Sequence, residues 1–130
     1  RAPNCMASIG IIETLEYLKD SYQLHIITNG FSFVQEVKLQ KSNLANYFVT
    51  ITNSEVAGHK KPHENIFQYA LSVANASKNE SIMVGDSIEA DVLGAMNFGM
   101  KAVYFNPANE MVSHDKIIQI QKLTQLKNIL

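Results

Sequence analysis

Several protein classes are excluded by what this chain has little of. Its single cysteine, Cys5, has no internal disulfide partner, and no Cys/His spacing suggests a zinc site. Basic residues never gather into a block. Lys60-Lys61 is the nearest approach, and the formal net charge is −1, so neither nucleic acid nor an anionic membrane surface is an expected partner. No apolar run approaches the length of a membrane span, and the N-terminus carries no signal-peptide pattern. Repeats, low-complexity tracts and linkers are also missing. What remains is a chain of 130 residues, 46% hydrophobic and 18% charged, which fits one ordinary globular domain over residues 1–130. The expectation is a cytoplasmic enzyme or binding domain.

Apolar residues Ile9, Ile12, Leu15 and Leu18 recur at helical spacing and predict a helix over 8–20. "LHIIT" (24–28) is a strand-length apolar run closed by the turn signal Asn29-Gly30. Ser32 and Gln35 match a capping box that opens a helix through Val34, Val37 and Lys38, with Asn43 at its end. "YFVTIT" (47–52) predicts a second strand. Pro62 then stands near the start of a helix with one apolar face: Ile66, Phe67, Ala70, Leu71 and Ala74. "SIMVG" (81–85) predicts a third strand, followed by a helix to Phe98 that stops at Gly99. "KAVYF" (101–105) predicts a fourth strand, Ile118–Ile120 a short extended piece, and 123–129 a last helix. Strands alternating with helices predict an α/β fold, a parallel sheet in a three-layer, Rossmann-like arrangement with helices on both faces. Ligands bind such sheets beyond the carboxyl ends of the strands. Thr28, Asn29, Gly85 and Asp86 all follow strand ends and therefore share one edge, whereas Asp20 precedes its strand and lies about 15 Å away.

Each polar residue at that edge has two readings. Asp86 with Glu89 matches a helix-capping pattern, and Asp91 suits the positive end of a helix dipole. Alternatively the two carboxylates serve a hard dication such as Mg²⁺, with Gly85 permitting a close backbone approach. Thr28 is either the end of a strand or, with the backbone N–H groups of Asn29 and Gly30, part of a phosphate-sized anion site. Lys61 is either solvated or faces an anion, because a cation at a helix N-terminus works against the dipole. His25, His59, His63 and His114 show no ligand spacing and are assigned no role.

Together these residues resemble the haloacid dehalogenase-like (HAD) hydrolase superfamily from about residue 9 to 130. "LHIITNG" is similar to the second family motif, "KKPHENIF" to the third and "IMVGDSIEADVLGAMNFGM" to the fourth. "FSFVQEVKLQKSNLANYF" further resembles the branch with nucleotidase-like and phosphoglycolate-phosphatase-like members, with Asn43 where a glycine is usual. The resemblance implies Thr28 as the phosphate-binding hydroxyl, with Asn29 and Gly30 beside it. It implies Lys61 as the charge-stabilising residue, Asp86 as a Mg²⁺ ligand and Asp91 as its supporting acid.

The family's first motif, a D-x-D segment carrying the nucleophilic aspartate, has no counterpart here. The chain has four aspartates, Asp20, Asp86, Asp91 and Asp115, and no D-x-D. The family's helical cap domain has no counterpart either. With Arg1 at the start, the resemblance implies the C-terminal part of a longer protein, inactive by itself. Its parent would be a Mg²⁺-dependent phosphatase of small phosphorylated metabolites, nucleotide or sugar phosphates. The other reading is a catalytically silent phosphate- or Mg²⁺-binding module. In the family the first-motif strand lies between the strands ending at Thr28 and Asp86, so its absence predicts unpaired strand edges, direct pairing of those strands, or self-association.

Overall fold

A computed structural model describes residues 11–30, 44–114 and 116–130. In chain order the elements are helix α1 (Ile11–Leu18), strand β1 (Leu24–Thr28), strand β2 (Phe48–Asn53), helix α2 (Ser54–Ala57) and helix α3 (Glu64–Ala74). Strand β3 (Ile82–Gly85) follows. A π-helical stretch, Ile88–Leu93, then runs into helix α4 (Gly94–Phe98), strand β4 (Lys101–Phe105), strand β5 (Ile118–Ile120) and a 3₁₀ helix, Leu123–Asn128. The expected strands are all present, and the last expected helix is of the tighter 3₁₀ kind. The helix expected after Ser32, its end at Asn43, residues 8–10 and Asp115 lie outside the described residues.

Every strand pairing is parallel, as the alternation of strands and helices requires. The strands nevertheless form two sheets, β1-β2 and β3-β4-β5. β1 and β3 are not hydrogen-bonded to each other, so direct pairing, one of the outcomes expected above, does not occur. Each presents an edge that no described strand covers.

The period-2 alternation of the strands sorts their side chains onto two faces. Ile27, Met83, Ala102 and Tyr104 pack on one face against Ile66 and Phe67 of α3 and Val92 and Ala95 of the helix after β3. Their immediate neighbours Val84, Val103 and Phe105 turn the other way, to Leu18 of α1 and Leu126 of the C-terminal 3₁₀ helix. Leu24 joins this second layer and also reaches the cluster of Leu15 and Leu44. Helices therefore cover both faces, giving the three layers. The apolar face of α3 lies where its spacing requires, with Ile66, Phe67, Ala70 and Leu71 buried. Burying a side chain of the size of Ile66 or Phe67 stabilises the fold by roughly 1.5–3 kcal/mol.

Helix ends fix the loops that matter. α3 begins just after Pro62, as expected, and His63 is its cap: the His63 Nδ1 atom accepts the Asn65 N–H at 3.1 Å, a role not assigned from the sequence. The helix after β3 starts at Ser87, whose Oγ accepts the Ala90 N–H at 3.1 Å. Asp86 is therefore not the cap that its spacing to Glu89 suggested. α4 stops at Gly99, whose φ of 103° is in the left-handed region that favours glycine.

Candidate functional site

The carboxyl ends of β1 and β3 meet one loop, Gly58–His63, and that loop delivers Lys61. Its ammonium donates to the Ile27 carbonyl of β1 at 3.2 Å and to Asp91 Oδ1, beyond β3, at 2.5 Å. The Lys61 and Asp91 side chains are only 11% and 6% exposed, so the pair is withdrawn from bulk water. One side chain thereby links β1 to the helix that follows β3. Among the described residues two of its three N–H donors are engaged, by Ile27 and Asp91.

Asp91 reaches this position because the chain after β3 is wound as a π-helix. The Val92 N–H bonds back to the Ser87 carbonyl at 3.2 Å, five residues away, and π turns often occur at functional sites. Asp91 Oδ2 accepts the Ser87 N–H at 3.2 Å. The carboxylate lies directly over Gly85, where any Cβ would collide with it. The close approach expected at Gly85 is thus that of Asp91.

Thr28 ends β1, and its hydroxyl accepts the Gly30 N–H at 3.1 Å, closing the turn. Asn29 is engaged on both sides. Its side chain accepts the Lys61 N–H at 2.8 Å and donates to the Lys61 carbonyl at 3.2 Å, while its own carbonyl accepts the Ser54 hydroxyl at 3.1 Å. Thr28, Asn29, Gly30, Lys61 and Asp91 are thus joined through these contacts. Asp86 stands at the open end of β3, on the wall of a cavity of about 190 Å³ that Tyr104, Asn106 and Glu110 also line. Asn106 was passed over in the sequence because it lies in a loop. It is buried, and its side chain bonds both the N–H and the carbonyl of Glu110, at 3.0 and 2.9 Å, and the Gln119 side chain at 2.8 Å. That network holds Glu110 in place on the cavity wall. A buried polar residue just after a strand was the available signal.

Among the described residues, no three His, Cys, Asp or Glu side chains gather closely enough to hold a metal unaided. The donors here are hard carboxylate oxygens. Mg²⁺ keeps several waters and takes one or two carboxylates together with substrate phosphate oxygens, so Asp86 and its surroundings suit that ion. Among the described residues, no helix is long and apolar enough to cross a membrane.

Comparison with known proteins agrees with this fold. The profile of the family described as haloacid dehalogenase-like hydrolase matches residues 3–105. The pyrimidine 5'-nucleotidase YjjG of Escherichia coli is 38% identical over 109 residues, covering 79% of this chain and 48% of that protein. A glyceraldehyde 3-phosphate phosphatase of Pyrococcus furiosus is 41% identical over 91 residues, 70% of this chain and 38% of that protein. Among solved structures, a HAD phosphatase from Thermococcus onnurineus superposes with a TM-score of 0.88 at 34% identity, over 93% of this chain and 56% of that one. The HAD-hydrolase YfnB from Bacillus subtilis, bound to magnesium, gives 0.85 at 30% identity, over 95% of this chain and 54% of that one. The chain spans about half the length of these relatives or less. With parallel strands covered by helices on both faces, and matched over most of its length by this profile, the chain belongs to the haloacid dehalogenase-like hydrolase family.

Proposed function

We propose that this chain supplies the phosphate- and Mg²⁺-holding part of a phosphatase of small phosphate monoesters, of the nucleotide or sugar-phosphate class. The observation that carries the proposal is the Lys61 ammonium. It lies between β1 and the segment after β3, at the edge that also carries the Thr28 hydroxyl and Asp86, with two of its three donors engaged among the described residues. The named activities of the nucleotidase and phosphatase relatives favour the same reading.

In this reading Thr28 and Lys61 hold the oxygens of the transferring phosphoryl group. Asp86 carries Mg²⁺, which when bound offsets charge on those oxygens. Asp91 aims the Lys61 ammonium and, with Mg²⁺ bound, would help to orient water near that ion. Each such contact is worth on the order of 3 kcal/mol of barrier. The attacking carboxylate belongs to a strand placed between β1 and β3, whose edges no described strand covers. The carboxylate oxygen attacks phosphorus, the ester P–O bond breaks and the alcohol leaves with a proton. Water then hydrolyses the aspartyl-phosphate to free the carboxylate and phosphate. Without the strand, the same edges draw copies of the chain together.

The test is binding of inorganic phosphate with and without Mg²⁺, beside a turnover panel of phosphate monoesters. Mg²⁺-dependent phosphate binding, lost in Asp86→Asn and weakened in Lys61→Met, is the expected result. No binding in the unaltered chain would sink the proposal. Turnover by the chain itself, abolished by Asp86→Asn, would place the nucleophile within these 130 residues. Binding without turnover in any longer form of the protein would favour the silent module.

A further inference from the structure

The Asn29 side chain points to a role different from contact with phosphate. Across 32 residues of sequence it meets the backbone of Lys61 twice, accepting from its N–H at 2.8 Å and donating to its carbonyl at 3.2 Å. A primary amide matches a peptide group in this reciprocal way because both present one donor and one acceptor side by side. Asn29 is itself held, since its carbonyl takes the Ser54 hydroxyl at 3.1 Å where β2 passes into α2. Three segments therefore converge on one residue: the end of β1, the start of α2 and the loop that carries Lys61.

The consequence falls on the ammonium. The Lys61 side chain must place Nζ between the Ile27 carbonyl and Asp91 Oδ1, both fixed by other elements. Its stem has four rotatable bonds and would lose much rotamer freedom on being held there. Fixing the backbone at the root of that stem is what lets the tip meet both acceptors at once.

We infer that Asn29 is a positioning residue for Lys61, acting through the lysine backbone and not through the phosphate itself. The inference rests on the phosphate reading of the site for its functional meaning, but the geometry can be tested separately. In the chain labelled with ¹⁵N-lysine, the Lys61 ammonium is sheltered and doubly bonded. It gives a slowly exchanging NMR signal, assigned by its loss in Lys61→Met. Asn29→Ala is expected to shift and broaden that signal, and to weaken binding of inorganic phosphate with Mg²⁺ by about tenfold, the usual scale for a lost outer hydrogen bond. Asn29→Asp keeps the acceptor for the Lys61 N–H and loses the donor, so its Lys61 signal falls between those of the unaltered chain and Asn29→Ala, while its added negative charge weakens phosphate binding by itself. It also carries the comparison if Asn29→Ala does not fold.

An unchanged Lys61 signal and unchanged phosphate affinity in both variants would overturn the inference. So would weakened phosphate binding with the Lys61 signal intact, which would make Asn29 a direct phosphate ligand. A Lys61 signal that moves in a chain binding no phosphate would uphold the positioning role and sink the phosphate reading instead.

Discussion

At the scale of single residues, the site is a set of mutual dependencies. The Lys61–Asp91 pair is little exposed, so removing one partner leaves a charge in poor solvent. Asp91→Asn is expected to destabilise the fold by about 3 kcal/mol, whereas the double variant Lys61→Met/Asp91→Leu loses markedly less. Urea denaturation of the two singles and the double would measure that coupling. Gly85→Ala attacks the same pair from beneath, since its methyl group occupies the space of the Asp91 carboxylate. Loss of the protected Lys61 ammonium signal without loss of the fold is the expected outcome. Thr52 is the reverse case. It is fully buried, and its hydroxyl has no hydrogen-bond partner among the described residues. Thr52→Val keeps the shape and removes the orphaned group, and is expected to leave stability unchanged or raise it by about 1 kcal/mol. A clear drop in the urea midpoint would show a partner for that hydroxyl.

Among elements, caps and strand pairs decide. Ser87→Ala removes the side chain that caps the helix after β3 and should cost about 1 kcal/mol by thermal unfolding. Asp86→Asn, at the residue the sequence first suggested as cap, should cost less. β1 and β2 are joined side by side through His25 Nδ1 and Thr50 Oγ1, 2.7 Å apart. Burial pushes the His25 imidazole below its ordinary value of 6.5, because the charged form loses hydration. Just below that value the unfolded chain binds more protons than the folded one, so stability rises with pH through this window and is lost on acidification. The fall in urea midpoint between pH 7 and pH 5 should be smaller in His25→Gln. An equal fall would mean that other groups carry it.

Much of this level was legible in the sequence. The four main strands and the apolar face of α3 follow from runs of apolar residues and their spacing, which are local signals. Ser87 was missed because Asp86, one residue earlier, is an equally good capping type, and local preference cannot choose between neighbours. The π-helical winding was missed for a related reason. The winding accompanies the contact of Asp91 with Lys61, thirty residues away, which local spacing does not reveal.

For the molecule as a whole, the division into two parallel sheets is the dominant feature. Among the described residues, β1 and β3 each have an edge that no strand covers, and such edges offer backbone donors and acceptors to a partner. Sedimentation of the chain over a concentration series is therefore expected to show association that grows with concentration. A purely monomeric species throughout would mean that residues outside the described set cover those edges.

By itself the sequence determined the class of fold and the shared edge of the polar residues, because periodicity and strand order depend on near neighbours. It also determined which residue types could meet a phosphate and a dication. Tertiary structure alone decided how those residues are used. Asp91 faces Lys61, Gly85 makes room for Asp91, Asn29 grips the Lys61 backbone, and β1 stands apart from β3. Those contacts join residues that are mostly distant in the chain, and their geometry is fixed only when helices and sheets pack together.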